Sequence, residues 1–366
     1  MKVGYFLRDN GACGYYRVDL PLMTATKRKV IETLRIEKGD NAERISSALE
    51  GDVIVFPRPC EKRLVEGFKE LQDTGKKIVI DFDDNMFMLS PFSPHYHDFG
   101  IREVQYKMPD GKVLDIWKDG VNFSLKDNIE RSEYIQKAIE NADLVTTPTK
   151  ILSNLYKTLG AKKTVTLPNC VDTDLWQKLL LEETDKLRLF WAGGHSHYED
   201  WLLLKNVVPY IMNKYPDITL VLLGSKWDST LQGIPQDRIE YHPWVATPAY
   251  PYKVSILNPD ISIIPLADTD FNRCKSPIKW IEMAAMGVPS VTSNIPPYSV
   301  IASEHNGIFI DKNAEDAWIE GISMLIDDSV LRAKMGGYAQ RTVNMNFDIN
   351  TEYTQWVKAY DEIRKS

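Results

Sequence analysis

The chain has 366 residues, of which 43% are hydrophobic and 26% charged, and its formal net charge is −7. This length exceeds what one hydrophobic core usually holds, so two domains of ordinary globular composition are expected. The acidic balance disfavours extended nucleic-acid binding, and no apolar run approaches the ~20 residues of a transmembrane helix.

The four cysteines, Cys13, Cys60, Cys170 and Cys274, are far apart and show no paired spacing. This pattern indicates reduced thiols rather than a disulfide framework or a metal site. The apolar run within MKVGYFLRDN is too short for a signal peptide. A cytoplasmic protein is therefore expected, and peripheral membrane contact is left open.

The first half alternates strand-like and helical runs. Strands are predicted at 2–7, 30–36, 52–56, 77–82 and 143–147, and helices at 42–49, 61–74 and 126–141. Such alternation predicts a mostly parallel sheet that is covered on both faces.

A glycine-containing loop, DNGACGYYRVDLP, directly follows the first strand. Gly11 and Gly14 would let the backbone approach a ligand, and Arg17 lies just beyond them. The spacing is not that of the dinucleotide fingerprint. Many first strand-to-helix turns contain glycine, so the loop alone is weak support for a ligand site.

Three carboxylates end the strand at 77–82. Asp81, Asp83 and Asp84 belong to the sequence DFDDN and are placed at the carboxyl edge of the sheet, where ligands bind in such folds. The plain alternative is turn chemistry, because Asp and Asn are common where strands stop. A divalent metal held by this cluster is a less favoured alternative.

The connecting segments carry fewer signals. Residues 90–121 are predicted to form an irregular loop whose His95 and His97 either face a substrate or are merely solvated. The segment 164–176, TVTLPNCVDTDLW, is predicted to form a Pro–Asn turn. The charged LEETDKL segment beside it is predicted to be exposed, and the domain boundary is expected there.

The second half repeats the pattern, with strands predicted at 187–192, 218–224, 239–244, 260–265, 289–293 and 307–310. Gly193, Gly194, His195 and His197 follow the first of these strands, as the glycine loop does in the first half. Two similar sheets would each offer a loop to a common cleft, which favours a phosphate-bearing ligand. A last helix at about 350–365 presents an aromatic stripe suited to a core.

The stretch CKSPIKWIEMAAMGVPSVTS reads as a loop, a short helix, a turn and a buried strand. Ser276 is predicted to be the N-cap and Pro277 the first helical residue. Lys275 and Lys279 place two cations at a helix N-terminus, which costs ~0.3–1 kcal/mol each unless an anion binds there. Glu282 lies one turn further on. The alternative is a solvated helix start in which Glu282 pairs with one of the two lysines.

Two segments carry a family resemblance. LPNCVDTDLW is similar to the interdomain signature, and IEMAAMGVPSV to the donor-site signature, of the retaining glycosyltransferase family GT4. The resemblance covers nearly the whole chain and is strongest from Thr164 onward. It implies the GT-B fold, an α/β architecture of two doubly wound Rossmann-like domains facing a cleft. The expected domains are 1–170 and 171–348, and a C-terminal helix, 349–366, packs back toward the first.

The resemblance also implies roles. The second domain would hold a nucleotide-sugar donor and the first a glycan or other hydroxyl acceptor. Glu282 falls on the glutamate that binds the donor ribose, and Trp244 lies near the segment bordering the base. Gly14 and Arg17 match the loop near the donor phosphates. The backbone at Lys275 and Ser276 would face the sugar and diphosphate.

Two positions depart from the family pattern. Cys274 replaces the first motif glutamate, which ordinarily grips sugar hydroxyls. The segment from Gly194 to His197 stands where an Arg and a Lys are usual. A leaving diphosphate still needs donors or positive charge. Lys275, Lys279 and Arg17 are the catalytic candidates for that task, and His195 or His197 would assist.

The expected reaction is retaining transfer of a sugar to an acceptor hydroxyl, without a protein-bound metal or other cofactor, and Asp83 or Asp84 would orient the acceptor. Three alternatives remain open. They are a nucleotide-sugar epimerase of the same fold, a glycosyltransferase acting on modified DNA bases, and a non-catalytic nucleotide-sugar binder.

Overall fold

The computed structural model describes residues 1–8, 11–107, 111–179 and 186–366. The start of the glycine loop, part of the loop at 90–121 and most of LEETDKL therefore lie outside the described residues. The chain forms two compact units. The first comprises Met1–Asn169, Cys274–Ser276 and Thr351–Ser366, and the second comprises Cys170–Arg273 and Pro277–Asn350.

The first unit is built on a six-stranded parallel sheet of order β2-β1-β3-β4-β7-β8. The strands of this unit are β1 Lys2–Phe6, β2 Glu32–Ile36, β3 Val53–Pro57, β4 Lys77–Asp81, β5 Val104–Lys107, β6 Val113–Trp117, β7 Leu144–Thr147 and β8 Thr164–Thr166. Of these, β5 and β6 form a separate antiparallel pair outside the six-stranded sheet. The central strands are rich in β-branched residues and fully buried, as a sheet covered on both faces requires.

Nine helices accompany this sheet among the described residues: α1 Ala12–Gly14, α2 Leu20–Lys27, α3 Ala42–Leu49, α4 Lys62–Glu66, α5 Phe68–Asp73, α6 Tyr96–Phe99, α7 Leu125–Asn141, α8 Lys150–Thr158 and most of α16 Ile349–Arg364. Polar side chains start several of them. Asn41, Ser124 and Thr149 accept hydrogen bonds from backbone N–H groups in the first turns of α3, α7 and α8.

The second unit holds the other six-stranded parallel sheet, of order β11-β10-β9-β12-β13-β14. Its strands are β9 Leu187–Gly193, β10 Ile218–Gly224, β11 Ile239–His242, β12 Ile261–Ile264, β13 Ser290–Ser293 and β14 Ile308–Ile310. Its helices are α9 Tyr198–Leu202, α10 Val207–Lys214, α11 Tyr250–Leu257, α12 Asp270–Arg273, α13 Ile278–Ala285, α14 Glu315–Asp327 and α15 Ser329–Asn346.

The two parallel sheets confirm the expected α/β fold class with its paired doubly wound sheets. The last helix is confirmed as well: Trp356, Tyr360 and Ile363 are buried, and the Trp356 indole donates a hydrogen bond to the Arg17 carbonyl at 3.2 Å. Among the helices of the described ranges, none is both long and apolar enough to cross a bilayer.

Three local predictions are wrong. The single helix predicted at 61–74 is broken at Gly67 into α4 and α5. The segment 90–121 is not wholly irregular, because it contains α6 and the hairpin β5–β6, and His97 bonds the adjacent Asp98 at 3.0 Å. The turn predicted from 164 begins as β8, which pairs with β7.

Candidate functional site

Two glycines end neighbouring strands of the second unit. A Cβ on Gly193 would lie 2.8 Å from the Trp191 ring and 3.2 Å from the His197 ring. Gly224 has a φ of +111°, and a Cβ there would lie 2.3 Å from the Gly193 carbonyl oxygen. Both positions therefore need glycine, and together they bring main chain and rings close at the carboxyl edge of the sheet.

His197 is fixed by a buried carboxylate. Its Nδ1 lies 2.7 Å from Oδ2 of Asp200, which is 2% exposed. The other carboxylate oxygen accepts hydrogen bonds from the Ala267 N–H at 2.7 Å and the Asn272 side chain at 3.0 Å. His195 is exposed, and its ring meets the edge of Trp227 at 6.1 Å. The two histidines thus differ: His197 is held in place and His195 lies at the surface.

An aromatic platform stands beside Glu282 in the same unit. Trp244 is 53% exposed and stacks on Tyr250 with ring centres 5.2 Å apart. The Tyr250 hydroxyl hydrogen-bonds to the buried Glu282, and burial together with that carboxylate raises the pKa of the Tyr250 phenol well above its usual value. Tyr250 therefore stays protonated and donates a hydrogen bond to Glu282. This bond holds the carboxylate beside Tyr250, the ring on which the exposed Trp244 indole stacks.

Helix α13 carries Lys279 and Glu282 and starts one residue later than predicted. It begins at Ile278 with Pro277 in the N-cap position, so the prediction of Ser276 as N-cap is wrong. Proline there has a ψ of 28°, which lies outside the helical range. The Lys279 ammonium lies 5.5 Å from the centre of the Trp191 ring, which places a cation near the end of β9.

The residues just before that helix belong to the first unit. The Ser276 hydroxyl accepts a hydrogen bond from the Asn169 side chain at 2.8 Å, and the Cys274 carbonyl accepts one from Thr149 at 3.0 Å. The Lys275 charge acts on Asp84 and lowers the pKa of that carboxyl against larger opposing effects. Lys275 is therefore part of the electrostatics of the acidic edge of the first sheet.

Asp83 and Asp84 follow β4 and differ in charge state. Burial and then the neighbouring Asp83 charge raise the pKa of Asp84 to about 6. Burial alone would also raise the pKa of Asp83, but Arg58 and a hydrogen bond from the Cys13 thiol leave it below its usual value. At neutral pH Asp83 is thus firmly ionised, whereas Asp84 titrates within reach of physiological pH.

Arg58 is a residue of this site that the sequence reasoning missed. It follows β3 between two prolines, is 5% exposed, and its Nε lies 4.0 Å from Asp83. The backbone φ of Arg58 is +46°, an unfavourable value for a residue with a Cβ. The backbone N–H of Arg58 donates a hydrogen bond to the Asp81 carbonyl at 2.9 Å. A charged residue placed directly after a buried strand was the signal in the sequence.

Arg17 has a different place from the one predicted. It is 1% exposed, and it donates to both carboxylate oxygens of Asp81, at 3.1 and 2.8 Å. It also donates to the Leu167 carbonyl and, at 3.0 Å, to Asn169. With its guanidinium enclosed by these acceptors, Arg17 holds the first unit together, and its assignment to the donor diphosphate is corrected.

Gly14 is likewise buried within a continuous helical segment. Residues Ala12–Gly14 form α1, a π-helical turn at Tyr15–Asp19 follows, and α2 continues from there. The predicted loop is therefore helical from Ala12 onward. Asp81 is committed to Arg17 and Thr146, and the described residues contain no group of three or more His, Cys, Asp or Glu side chains arranged to hold a metal ion.

A polar cavity of about 480 Å³ lies beside the acidic edge of the first unit. Arg8, which follows β1, donates from Nη1 to the Arg58 carbonyl at 2.8 Å and to Glu61 at 3.1 Å. The other described lining residues are mostly charged and come chiefly from α4 and α7: Cys60, Lys62, Asp98, Asp127, Glu130, Arg131 and Tyr134. Such a lining suits a ligand with many hydroxyl groups better than an apolar one.

Comparison with known proteins supports the fold and matches part of the chain to a family model. Residues 186–328 match the family model described as glycosyl transferases group 1. HepE from Anabaena, solved in complex with UDP, is 14% identical; the alignment covers 99% of this chain and 100% of HepE, with a TM-score of 0.66. Sucrose-phosphate synthase from Thermosynechococcus elongatus is 13% identical, with 99% and 96% coverage and a TM-score of 0.63.

TarM from S. aureus is also similar, at 13% identity and a TM-score of 0.57. The alignment covers 84% of this chain but only 54% of TarM, so this chain spans about half of that protein. No curated protein sequence matches the chain. The two six-stranded parallel sheets and these structural matches show the GT-B fold, and residues 186–328 are similar to the glycosyl transferases group 1 family.

Proposed function

We propose that the chain transfers a sugar from a nucleotide-diphosphate sugar to a hydroxyl group of a glycan or another acceptor. The observation that carries the proposal is the family match over residues 186–328, because that range contains Trp244, Glu282, Lys279 and His197. HepE, a structural relative, is solved with UDP-glucose. UDP-glucose is therefore the first donor to test.

The second unit supplies the donor site in this proposal. The exposed face of Trp244 stacks on the nucleotide base, and the Glu282 carboxylate accepts hydrogen bonds from the ribose hydroxyls. Lys279 and His197 face the diphosphate, with the Gly193–Gly194 backbone close by. Each charge-assisted hydrogen bond of this kind contributes roughly 1.5–3 kcal/mol.

The first unit supplies the acceptor side. Asp83 and Asp84 orient the attacking hydroxyl, and the polar cavity lined by Arg8, Lys62 and Arg131 holds the rest of a hydroxyl-rich acceptor. Lys275 keeps positive charge near these carboxylates. None of the four cysteines, all of which lie in the described ranges, forms a disulfide, which fits the proposed cytoplasmic location.

The reaction proceeds with retention. The bond between the anomeric carbon and the β-phosphate oxygen breaks, and the acceptor oxygen bonds to the same face of the sugar. The acceptor proton passes to the departing phosphate oxygen, so no enzyme nucleophile takes part. Lys279 and His197 supply the positive charge for the leaving group, and the proposed mechanism needs no metal ion.

The experiment that tests this function is a screen of nucleotide sugars for thermal stabilisation. The best donor is then tested for slow hydrolysis and for transfer to an acceptor panel by mass spectrometry. We expect a UDP-sugar to raise Tm and to be hydrolysed slowly, with the product keeping the donor's anomeric configuration and chelators leaving the rate unchanged. Conversion of donor to an altered sugar without acceptor would instead identify an epimerase.

Glu282→Gln tests the donor site directly. The amide keeps the size of the side chain but removes the charge that accepts two ribose hydroxyls, so we expect roughly tenfold weaker UDP binding. Glu320→Gln on the exposed face of α14 is the matched control and should bind UDP as the wild type does. Equal UDP affinity for E282Q and wild type, measured by calorimetry, would rule out this ribose contact.

A further inference from the structure

Asp200 is a buried carboxylate with both oxygens engaged. Oδ1 accepts from the Ala267 N–H and from Asn272, whereas Oδ2 faces Nδ1 of His197 at 2.7 Å. Ala267 follows β12 and Asn272 lies in α12, so two other elements fix the carboxylate. Because these three contacts hold the Asp200 carboxylate in one orientation, the carboxylate fixes the orientation of the His197 ring.

The imidazole ring is also held by packing. The His197 side chain is 16% exposed, and its Cδ2 lies against the Gly193 main chain at the end of β9. With Nδ1 turned toward Asp200, Nε2 lies on the opposite edge of the ring. The Trp191 ring, over which Lys279 lies, packs against the same glycine.

Tyr298 connects this pair with Glu282. Burial, then the negative charges of Asp200 and Glu282, raise the pKa of the Tyr298 phenol far above its usual value. Both carboxylates therefore act on one buried tyrosine, and the His197–Asp200 pair belongs to the same part of the second unit as Glu282.

We propose that Asp200 is a positioning residue that holds His197 in the Nδ1–H tautomer and thereby presents Nε2 to the diphosphate of the nucleotide sugar. The proposal rests on the proposed function and names a further residue for it. When Nε2 also carries a proton, the ring donates a charge-assisted hydrogen bond to a phosphate oxygen while Asp200 balances its charge. No covalent bond forms or breaks at His197.

The substitution Asp200→Asn reverses the direction of the hydrogen bond between residue 200 and Nδ1 of His197 and changes the shape of the side chain little. To keep the bonds from Ala267 and Asn272, the amide oxygen of the variant must face them, so its NH₂ group faces His197. The neutral ring is then forced into the Nε2–H tautomer. The Nε2–H of this tautomer can still donate to a phosphate oxygen, but only as a neutral group, because the amide does not balance a positive charge on the ring. We therefore expect D200N to bind UDP roughly fivefold more weakly, which is the loss of the charge assistance in one hydrogen bond.

The decisive measurement is NMR of protein labelled with ¹⁵N in its six histidines. The His197 signals are assigned by their absence in H197Q, and H305Q, which replaces an exposed histidine beside Glu304, is the matched control. We expect a protonated Nδ1 in the wild type, a protonated Nε2 in D200N, and a shift of the wild-type Nε2 signal when UDP is added.

Each outcome decides between the proposals. If UDP stabilises the wild type but leaves the His197 signals unmoved, or if D200N keeps the wild-type tautomer, the role of Asp200 is overturned and the proposed function stands. If no nucleotide sugar of the screen and no nucleoside diphosphate binds the wild type, both proposals fail. Should D200N not fold, the wild-type tautomer and its response to UDP still decide the question.

A double-mutant cycle separates positioning from simple stabilisation. If Asp200 acts through His197, the variant H197Q/D200N should bind UDP no more weakly than H197Q alone. Additive losses would show that Asp200 acts on the fold independently and would overturn the inference. The H305Q/D200N pair, in which no coupling is expected, provides the reference for additivity.

Discussion

Lys279 shows how one side chain can be placed by a neighbour rather than by its own helix. Its ammonium lies over the Trp191 ring, a contact that contributes about 0.5–1 kcal/mol at an exposed site. The position of the cation is therefore set by β9, the strand that ends at Gly193 just before Gly194 and His197. Arg17 is the opposite case, because its guanidinium donates its hydrogen bonds to buried acceptors, Asp81 and the Leu167 carbonyl.

Replacing Lys279 tests the charge at this position. We expect Lys279→Ala to slow sugar transfer at least tenfold, because one charge-assisted contact to the leaving diphosphate is lost. Lys214→Ala is the matched control, since Lys214 also lies over an aromatic ring, that of Tyr215, at 4.8 Å but precedes β10. Steady-state rates with saturating donor would refute the role of Lys279 if both variants were equally active.

Helix α13 shows what determines the placement of these residues at the level of elements. It packs on α15, where Gly336 meets the turn that follows α13: a Cβ on Gly336 would lie 2.0 Å from the Gly287 carbonyl oxygen. The close approach of the two elements needs this glycine. Lys279 and Glu282 both lie on α13, so the packing contact sets the position of two site residues at once.

Adjacent glycines of α15 offer a matched pair of variants. Gly336→Ala must push α13 and α15 apart, so we expect a lower Tm and weaker UDP binding. Gly337→Ala enters open space and should instead stabilise the helix by about 0.5–1 kcal/mol, leaving UDP binding unchanged. Thermal unfolding and calorimetry of both variants check this, and equal behaviour of the two would contradict the packing argument.

Sequence patterns predicted the elements of both sheets well because buried parallel strands are continuous apolar runs. The strand at 218–224 and the helix at 42–49 agree with the structure to the residue. Boundaries set by backbone geometry were harder: Ser276 looks like a better cap than Pro277, and only the conformation of the proline shows where α13 begins.

The positions of Asp83 and Asp84 just after β4, and of His197 shortly after β9, were predictable from the strand pattern, whereas their roles stay predictions. The partners of these residues were not predictable. Cys13 contacts Asp83, and Tyr250 contacts Glu282, across segments distant in sequence, and no local pattern reports such pairs. Asp200 lies only three residues from His197, but the contacts with Ala267 and Asn272 that hold it come from distant segments. The same holds for Arg17, whose contact with Asp81 joins residues that are 64 positions apart in the sequence.

At the scale of the whole molecule, Asp84 links the site to pH-dependent stability. Its pKa is raised to about 6 in the folded state, so the folded protein binds this proton more tightly than the unfolded chain does. Stability from this group is therefore greatest at acidic pH and is lost as the pH rises through 6. At neutral pH the folded protein therefore carries a destabilising carboxylate at the acidic edge of the first sheet.

Asp84→Asn should therefore raise the stability of the protein and lower its transfer activity. At pH 8 we expect the variant to be more stable than the wild type by on the order of 1–3 kcal/mol, with the difference shrinking below pH 5. Transfer to the acceptor should fall, because the amide cannot orient the hydroxyl as a carboxylate does. Asp217→Asn at an exposed position is the control, and urea denaturation at both pH values measures the change; an unchanged or lower stability at pH 8 would contradict it.

The first unit is assembled from three separate pieces of chain, and its last piece is α16. Trp356 is fully enclosed there and its indole is bonded to the main chain at Arg17, nearly the whole length of the polypeptide away. A ribosome must therefore finish translating the second unit before the first can be completed. A fragment that stops at residue 169 would expose the apolar surface that α16 covers in the full chain. We expect a synthetic peptide of residues 349–366 to bind this surface and complete the first unit.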